Sequence, residues 1–139
     1  MKQPLSLTEQ LAKHLMRKVD DATRDRARLH LLDWLGCVAG ARESKVANVV
    51  ARRELGGQAR SAYLGNVLEM DDIHRGSILH PGAVIWSAAL IATDDDPVFF
   101  DDFLDAAVRG YEATIAIGAT FDQQHYAYYH NTSTAGKMG

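Results

Sequence analysis

The sequence predicts an all-α fold, an irregular bundle of about six helices. Three observations predict it. Apolar residues recur at three- and four-residue spacing along most of the chain. Residues that open helices stand where those runs begin, and glycines stand where several of them stop. No stretch shows the strict apolar–polar alternation of a half-buried strand. The 139 residues are the length of one domain. Residues 1–139 are therefore read as a single helical domain, long enough to bury a core without disulfides or a metal.

Each element has its own signal. Ser6 and Glu9 have capping-box spacing, and Leu7, Leu11, Leu15 and Val19 follow on one face, which predicts a helix over residues 7–18. Asp20 or Asp21 caps a second helix with Ala27, Leu31, Trp34, Leu35 and Val38 inward, ending near Gly40. Ser44 opens a third with Val46, Val49, Val50 and Leu55 inward, closed by Gly56 and Gly57. Residues 61–70 have helical spacing at Tyr63, Leu64, Val67, Leu68 and Met70, but the run is too short to decide. Residues 71–79 read as a loop. Pro81 suits a first helical turn, and residues 83–92 are apolar on nearly all sides, as in a buried helix.

Asp94, Asp95, Asp96 and Pro97 form a turn whose acids offset the positive end of the next helix. That helix has the clearest stripe: Phe100, Phe103, Leu104, Ala107, Val108, Tyr111 and Ile115, ending by Gly118. Gly110 inside it costs roughly 1 kcal/mol relative to Ala, which suggests another element packed close by. Residues 121–139 read as loop.

Composition excludes several functions. Hydrophobic residues at 47% and charged residues at 24% are ordinary for a soluble globular protein. A net charge of −3 argues against nucleic-acid binding, which needs clustered cations. The start, Met1-Lys2-Gln3-Pro4, leads into no continuous apolar stretch, and the longest apolar run is too short for a bilayer. A cytoplasmic protein with no membrane contact is expected. The lone cysteine, Cys37, lies in an apolar run and reads as a buried small hydrophobe.

Two polar clusters carry the candidate chemistry. Glu69, Asp71, Asp72, His74 and His80 bring three carboxylates and two imidazoles into a short stretch between apolar segments. Neighbouring carboxylates raise one another's pKa and an imidazolium lowers it, so such a group can hold a proton near neutral pH. The same residues also read as a solvated loop with helix caps, Asp71 or Asp72 closing one helix and His80 opening the next. As metal ligands Asp71, Asp72, His74 and His80 match no strong signature. The second cluster runs from His125 through Tyr126, Tyr128, Tyr129, His130, Asn131, Thr132 and Ser133 to Gly136. Taken alone it reads as a polar tail. Neither a Gly-x-Ser-x-Gly elbow nor a phosphate-binding glycine loop is present. His14 and His30 read as surface or half-buried helix residues.

Four stretches together resemble the MmgE/PrpD family of 2-methylcitrate dehydratases and their relatives. These are residues 31–40 (LLDWLGCVAG), residues 68–74 (LEMDDIH) followed by His80-Pro81-Gly82, Gly110-Tyr111-Glu112, and His130-Asn131-Thr132 with Gly136. The resemblance implies a lyase or isomerase without cofactor or metal, acting on small di- or tricarboxylic acids by dehydration, decarboxylation or epimerisation. It implies His80, Asp72 and His130 as catalytic residues, with His80 a proton donor or acceptor. It implies Glu69, Asp71, His74 and Thr132 as substrate-binding residues, with His130 and Thr132 on the opposite wall.

It further implies a large helical domain, a smaller lid domain and a homodimer. The chain would correspond to the N-terminal part of the helical domain, without the lid or the later pocket residues, and so incompletely active alone. The sequence departs from the family pattern in a short connection over residues 56–61, in Ile73 where many members have Thr, and in Asn131 where many have Pro. The alternative expectation is a non-catalytic helical module that oligomerises or pairs with a complementary chain, prompted by the apolar helix at residues 83–92.

Overall fold

The computed structural model describes residues 4–53, 55–93, 96–121 and 123–139, without the side chains of Gln58 and Gln123. Met1, Lys2 and Gln3 at the start, and Asp94 and Asp95 of the expected turn, lie outside the described residues. Among the described residues the fold is all-α, with eight α-helices and one 3-10 turn.

Helix α1 (Leu7–Leu15) starts on the Ser6/Glu9 capping box and buries no residue. It stops short of residue 18. Asp20 must be extended to cap α2 (Asp21–Gly40), where its carboxylate accepts from the Thr23 amide. Val19, just before it, turns into the core instead. Gly40 does not terminate α2 in the left-handed region as expected. The chain continues from it into a 3-10 turn, Ala41–Glu43, because Ala41 packs completely buried. Helix α3 (Lys45–Ala51) is capped by Ser44 and ends earlier than its apolar pattern.

The 61–70 ambiguity resolves as α4 (Gly57–Asn66). The glycine pair expected to close one helix opens the next, with Gly56 extended at its N-cap. Leu64 anchors α4 at 5% exposure, and α4 packs against α5 and α2.

Helix α5 (Pro81–Ala92) is the centre of the molecule. Pro81, Gly82, Ala83, Ile85, Trp86 and Ser87 are buried, and α2, α4, α6 and α8 all touch it. Such an all-round apolar helix must be enclosed, since no face of it gains from water. Ser87, its buried polar residue, returns its hydroxyl to the Ala83 carbonyl at 2.7 Å. Helix α6 (Phe100–Gly118) lays Phe103, Leu104, Ala107 and Val108 against Trp86 and Trp34. The neighbour expected at Gly110 is Ile85: a Cβ there would stand 3.0 Å from its Cδ1. Asp105 on α6 is buried but receives the Arg24 guanidinium at 2.6 and 3.0 Å, which holds its carboxyl below the ordinary range. Arg17 similarly pairs with Glu112, tying α1's exit to α6.

The tail read as loop contains two short helices, α7 (Gln123–Tyr126) and α8 (Asn131–Gly136). Helices this short do not hold alone. Helix α8 persists because Asn131 and Ala135 are buried against α5 and α6, a tertiary cause that the local pattern does not carry. No helix among the described residues is long and apolar enough to cross a membrane.

Candidate functional site

The acidic loop between α4 and α5 is held by a few anchors. Its two residues with positive φ, Glu69 (52°) and Ile78 (48°), are not glycines. Each costs roughly 1–3 kcal/mol, so the surroundings must enforce the shape. His74 and Leu79 pair across the loop, the His74 amide donating to the Leu79 carbonyl at 2.9 Å. Leu79 and Ser77 are buried as plugs. Helix α8 locks the loop from outside: Asn131 Nδ2 donates to the Ser77 carbonyl at 2.8 Å, and the His80 amide donates to Thr132 Oγ1 at 2.9 Å. The two motifs that sequence separates by 50 residues are thus one unit.

Adjacent aspartates serve different neighbours. Asp71 is 6% exposed and accepts from Asn66 Nδ2 at 2.9 and 3.1 Å. Its Oδ1 lies 3.4 Å from His80 Nδ1. That nitrogen is buried and makes no hydrogen bond among the described residues, so the contact is charge proximity rather than a formed bond. Burial pushes the Asp71 carboxyl above its ordinary value, against the opposing pull of Asn66 and His80. His80 Nε2 faces Glu69, 3.8 Å away and largely exposed. An imidazole with a carboxylate beside Nδ1 can hold a proton on that side and present Nε2 outward.

Asp72 turns to other partners. Its Oδ1 accepts from the Gly82 amide at 2.9 Å, and its Oδ2 accepts from the Tyr111 hydroxyl at 2.8 Å. His30 Nδ1 stands 3.0 Å from Oδ2. Burial and the Asp72 charge raise the Tyr111 pKa, keeping the phenol a donor. Gly82 is required here, because a Cβ would lie 2.6 Å from Asp72 Oδ1 and 2.8 Å from the Tyr111 hydroxyl.

The remaining sequence-predicted residues fall around this centre. His74 is turned into its own loop, with Nδ1 receiving the Ser77 amide at 3.3 Å and the Ser77 hydroxyl 2.8 Å away. Thr132 touches the His80 backbone. His130 precedes α8 as its exposed N-cap, its ring 6.4 Å from that of Tyr126. It lines a separate cleft of about 520 Å³ with Ser133 and Lys137. The structure thus brings Glu69, Asp71, His80 and Thr132 together, while His74 is bonded within its own loop and His130 lines a different cleft. Among the described residues, no group of three or more His, Cys, Asp or Glu is arranged to hold a metal ion.

Three contributors were missed or given another role in sequence. Asn66 stands five residues before Asp71 and has no local signature. His30 was read as a plain helix residue, although its spacing from Asp33 puts both on one face; both line a cleft of about 510 Å³ with Asp72. Tyr111 was read as a core-stripe residue. A third cleft, about 450 Å³, runs between α4, α5 and α8 with Asn66 and Thr132 on its wall, the residues that hold Asp71 and His80.

Asp71 gives a pH-dependent test. Its folded-state pKa is raised, so the stability it contributes is full below the ordinary carboxylate range and is lost as pH rises through the folded value. Asp71→Asn removes the ionisation while keeping an oxygen for Asn66. The variant is expected to gain melting temperature relative to the parent at about pH 7 and to lose that gain near about pH 3. An equal change at both pH values in thermal unfolding would contradict the burial assignment.

These features define an all-helical domain built around a carboxylate-backed histidine at the entry of a buried helix. Residues 58–139, more than half of the chain, match the MmgE/PrpD N-terminal domain, and the chain belongs to the MmgE/PrpD family. The matched span holds the acidic loop, His80, Tyr111 and the His130–Gly136 segment; the LLDWLGCVAG stretch at residues 31–40 lies outside it. No curated protein and no solved structure matches the chain.

Proposed function

We propose that this domain supplies the histidine half of an MmgE/PrpD-type lyase or isomerase site for small di- or tricarboxylic acids. The single observation that carries this reading is His80, with buried Asp71 behind one ring nitrogen and the other turned outward. Dehydration beside a carboxylate needs a group that removes a carbon-bound proton and one that protonates the departing hydroxyl. His80 Nε2 is suited to either transfer, with Asp71 balancing the imidazolium charge. The cleft beside Asn66 and Thr132 has the size for a small acid. Glu69 and Asp71 put negative charge beside His80, so binding a polyanion against it calls for added positive charge.

The test is a citrate titration followed by NMR at His80 and Thr132, paired with a dehydration assay. Saturable shifts at both residues and slow turnover are expected. No shift at millimolar citrate together with no turnover would overturn the proposal.

The alternative, a helical module that associates, finds support in Leu29 and Leu32 of α2, 67% and 66% exposed. This differs from the motive given by residues 83–92, because α5 is largely covered within the chain. A concentration-independent monomer in sedimentation would remove this second reading.

A further inference from the structure

His80 stands at the N-cap of α5 without capping it: its side chain makes no bond to the first-turn amides. Pro81 has no amide to offer. The next amide, that of Gly82, is bonded by Asp72 from ten residues earlier. The same carboxylate receives Tyr111 from α6 and lies against His30 from α2. One side chain therefore joins the first turn of α5 to two other helices. Space confirms the fit, because Gly82 leaves no room for a methyl between Asp72 and Tyr111. Mobility of this carboxylate would be transmitted to His80 through two backbone links, since the His80 amide is fixed only on its other side, by Thr132.

We propose that Asp72 is a positioning residue rather than a proton-transfer group: with Tyr111 and His30 it clamps the Gly82 amide and so fixes the His80 imidazole against Asp71. This rests on His80 being the proton-handling group of the site. An ionised carboxylate suits the task, since it complements the positive end of α5 and accepts several donors at once. Asp72 is in ion-pair range of His30, whereas Glu69 and Asp71 are the carboxylates in range of His80. The Trp86 and His30 rings, each 5.7 Å from the Tyr111 ring, hold the phenol in line.

Tyr111→Phe is the decisive variant, because Phe keeps the ring contacts and removes only the hydroxyl. Asp72→Asn is its companion, and Leu90→Ala, on the same helix but away from Asp72 and packed on the core, is the control for general loss of stability. The readouts are the ring nitrogen shifts and titration of His80, the exchange rate of the Gly82 amide, and the melting temperature. Tyr111→Phe is expected to speed Gly82 exchange about tenfold, the worth of one charge-assisted hydrogen bond. It is also expected to move the His80 titration and to lower any turnover about tenfold with KM little changed.

Leu90→Ala is expected to lower the melting temperature and leave His80 where it was. If Leu90→Ala moves the His80 titration as far as Tyr111→Phe, or if Tyr111→Phe moves neither His80 nor Gly82, the assignment is wrong. A parent chain inert to carboxylic acids would count against the proposed function alone. The NMR and exchange results would still decide the role of Asp72.

Discussion

His80→Asn is expected to lower turnover of a citrate-like acid by about 10²–10⁴-fold, the usual contribution of one positioned acid–base group. The fold should survive. The bond that anchors this residue to Thr132 comes from its backbone amide, and Asn is among the preferred helix N-caps, whereas the histidine side chain caps nothing. Asn has a similar polar reach but no imidazole through which to exchange a proton. A melting temperature close to the parent's, with activity lost, would separate chemistry from structure. Retained activity would remove His80 from the mechanism and leave Asp71 with no proton partner.

Trp86→Ala is expected to cost about 3–5 kcal/mol of stability, the range for deleting a large buried aromatic. Trp86 is completely buried and has the Phe103 ring 5.9 Å and the Tyr111 ring 5.7 Å away. A domain is stable by roughly 5–15 kcal/mol in total, so this single change removes a large share. In urea the midpoint should fall by more than about 1 M. Trp86→Phe should recover much of the loss by refilling the space between α5 and α6. A midpoint unchanged in Trp86→Ala would mean that α5 is not the helix on which the others are packed.

The candidate site was partly legible. Glu69, Asp71 and His80 could be picked out because three carboxylates and two imidazoles interrupt apolar sequence at short spacing. Thr132 stands in a cluster that reads by itself as a polar tail, its binding role comes only from the family resemblance, and its contact is with the His80 amide, which side-chain patterns do not show. The opposite orientations of Asp71 and Asp72 were not legible at all. Two acids adjacent in a loop have no periodicity to assign their faces. The choice was made by Asn66 on one side and by Gly82, Tyr111 and His30 on the other. His74 shows the converse: its proximity in sequence suggested a role in the pocket, but local bonding to Ser77 claims its ring nitrogen.

By itself the sequence determined the all-α class, the capped starts of α1, α2 and α3, and the enclosure of α5, because caps and apolar spacing act within a few residues of where they are read. Only the tertiary structure decided where Gly40 and the Gly56–Gly57 pair stood in relation to helix ends, and whether the tail folded. Ala41, Leu64, Asn131 and Ala135 each found burial against distant helices, and such burial outweighs a glycine's weak preference to end a helix or a short segment's reluctance to start one. The joining of α8 to the His80 loop belongs with these: two bonds made across 50 and more residues place the centre of the site, and nothing nearer in the chain specifies them.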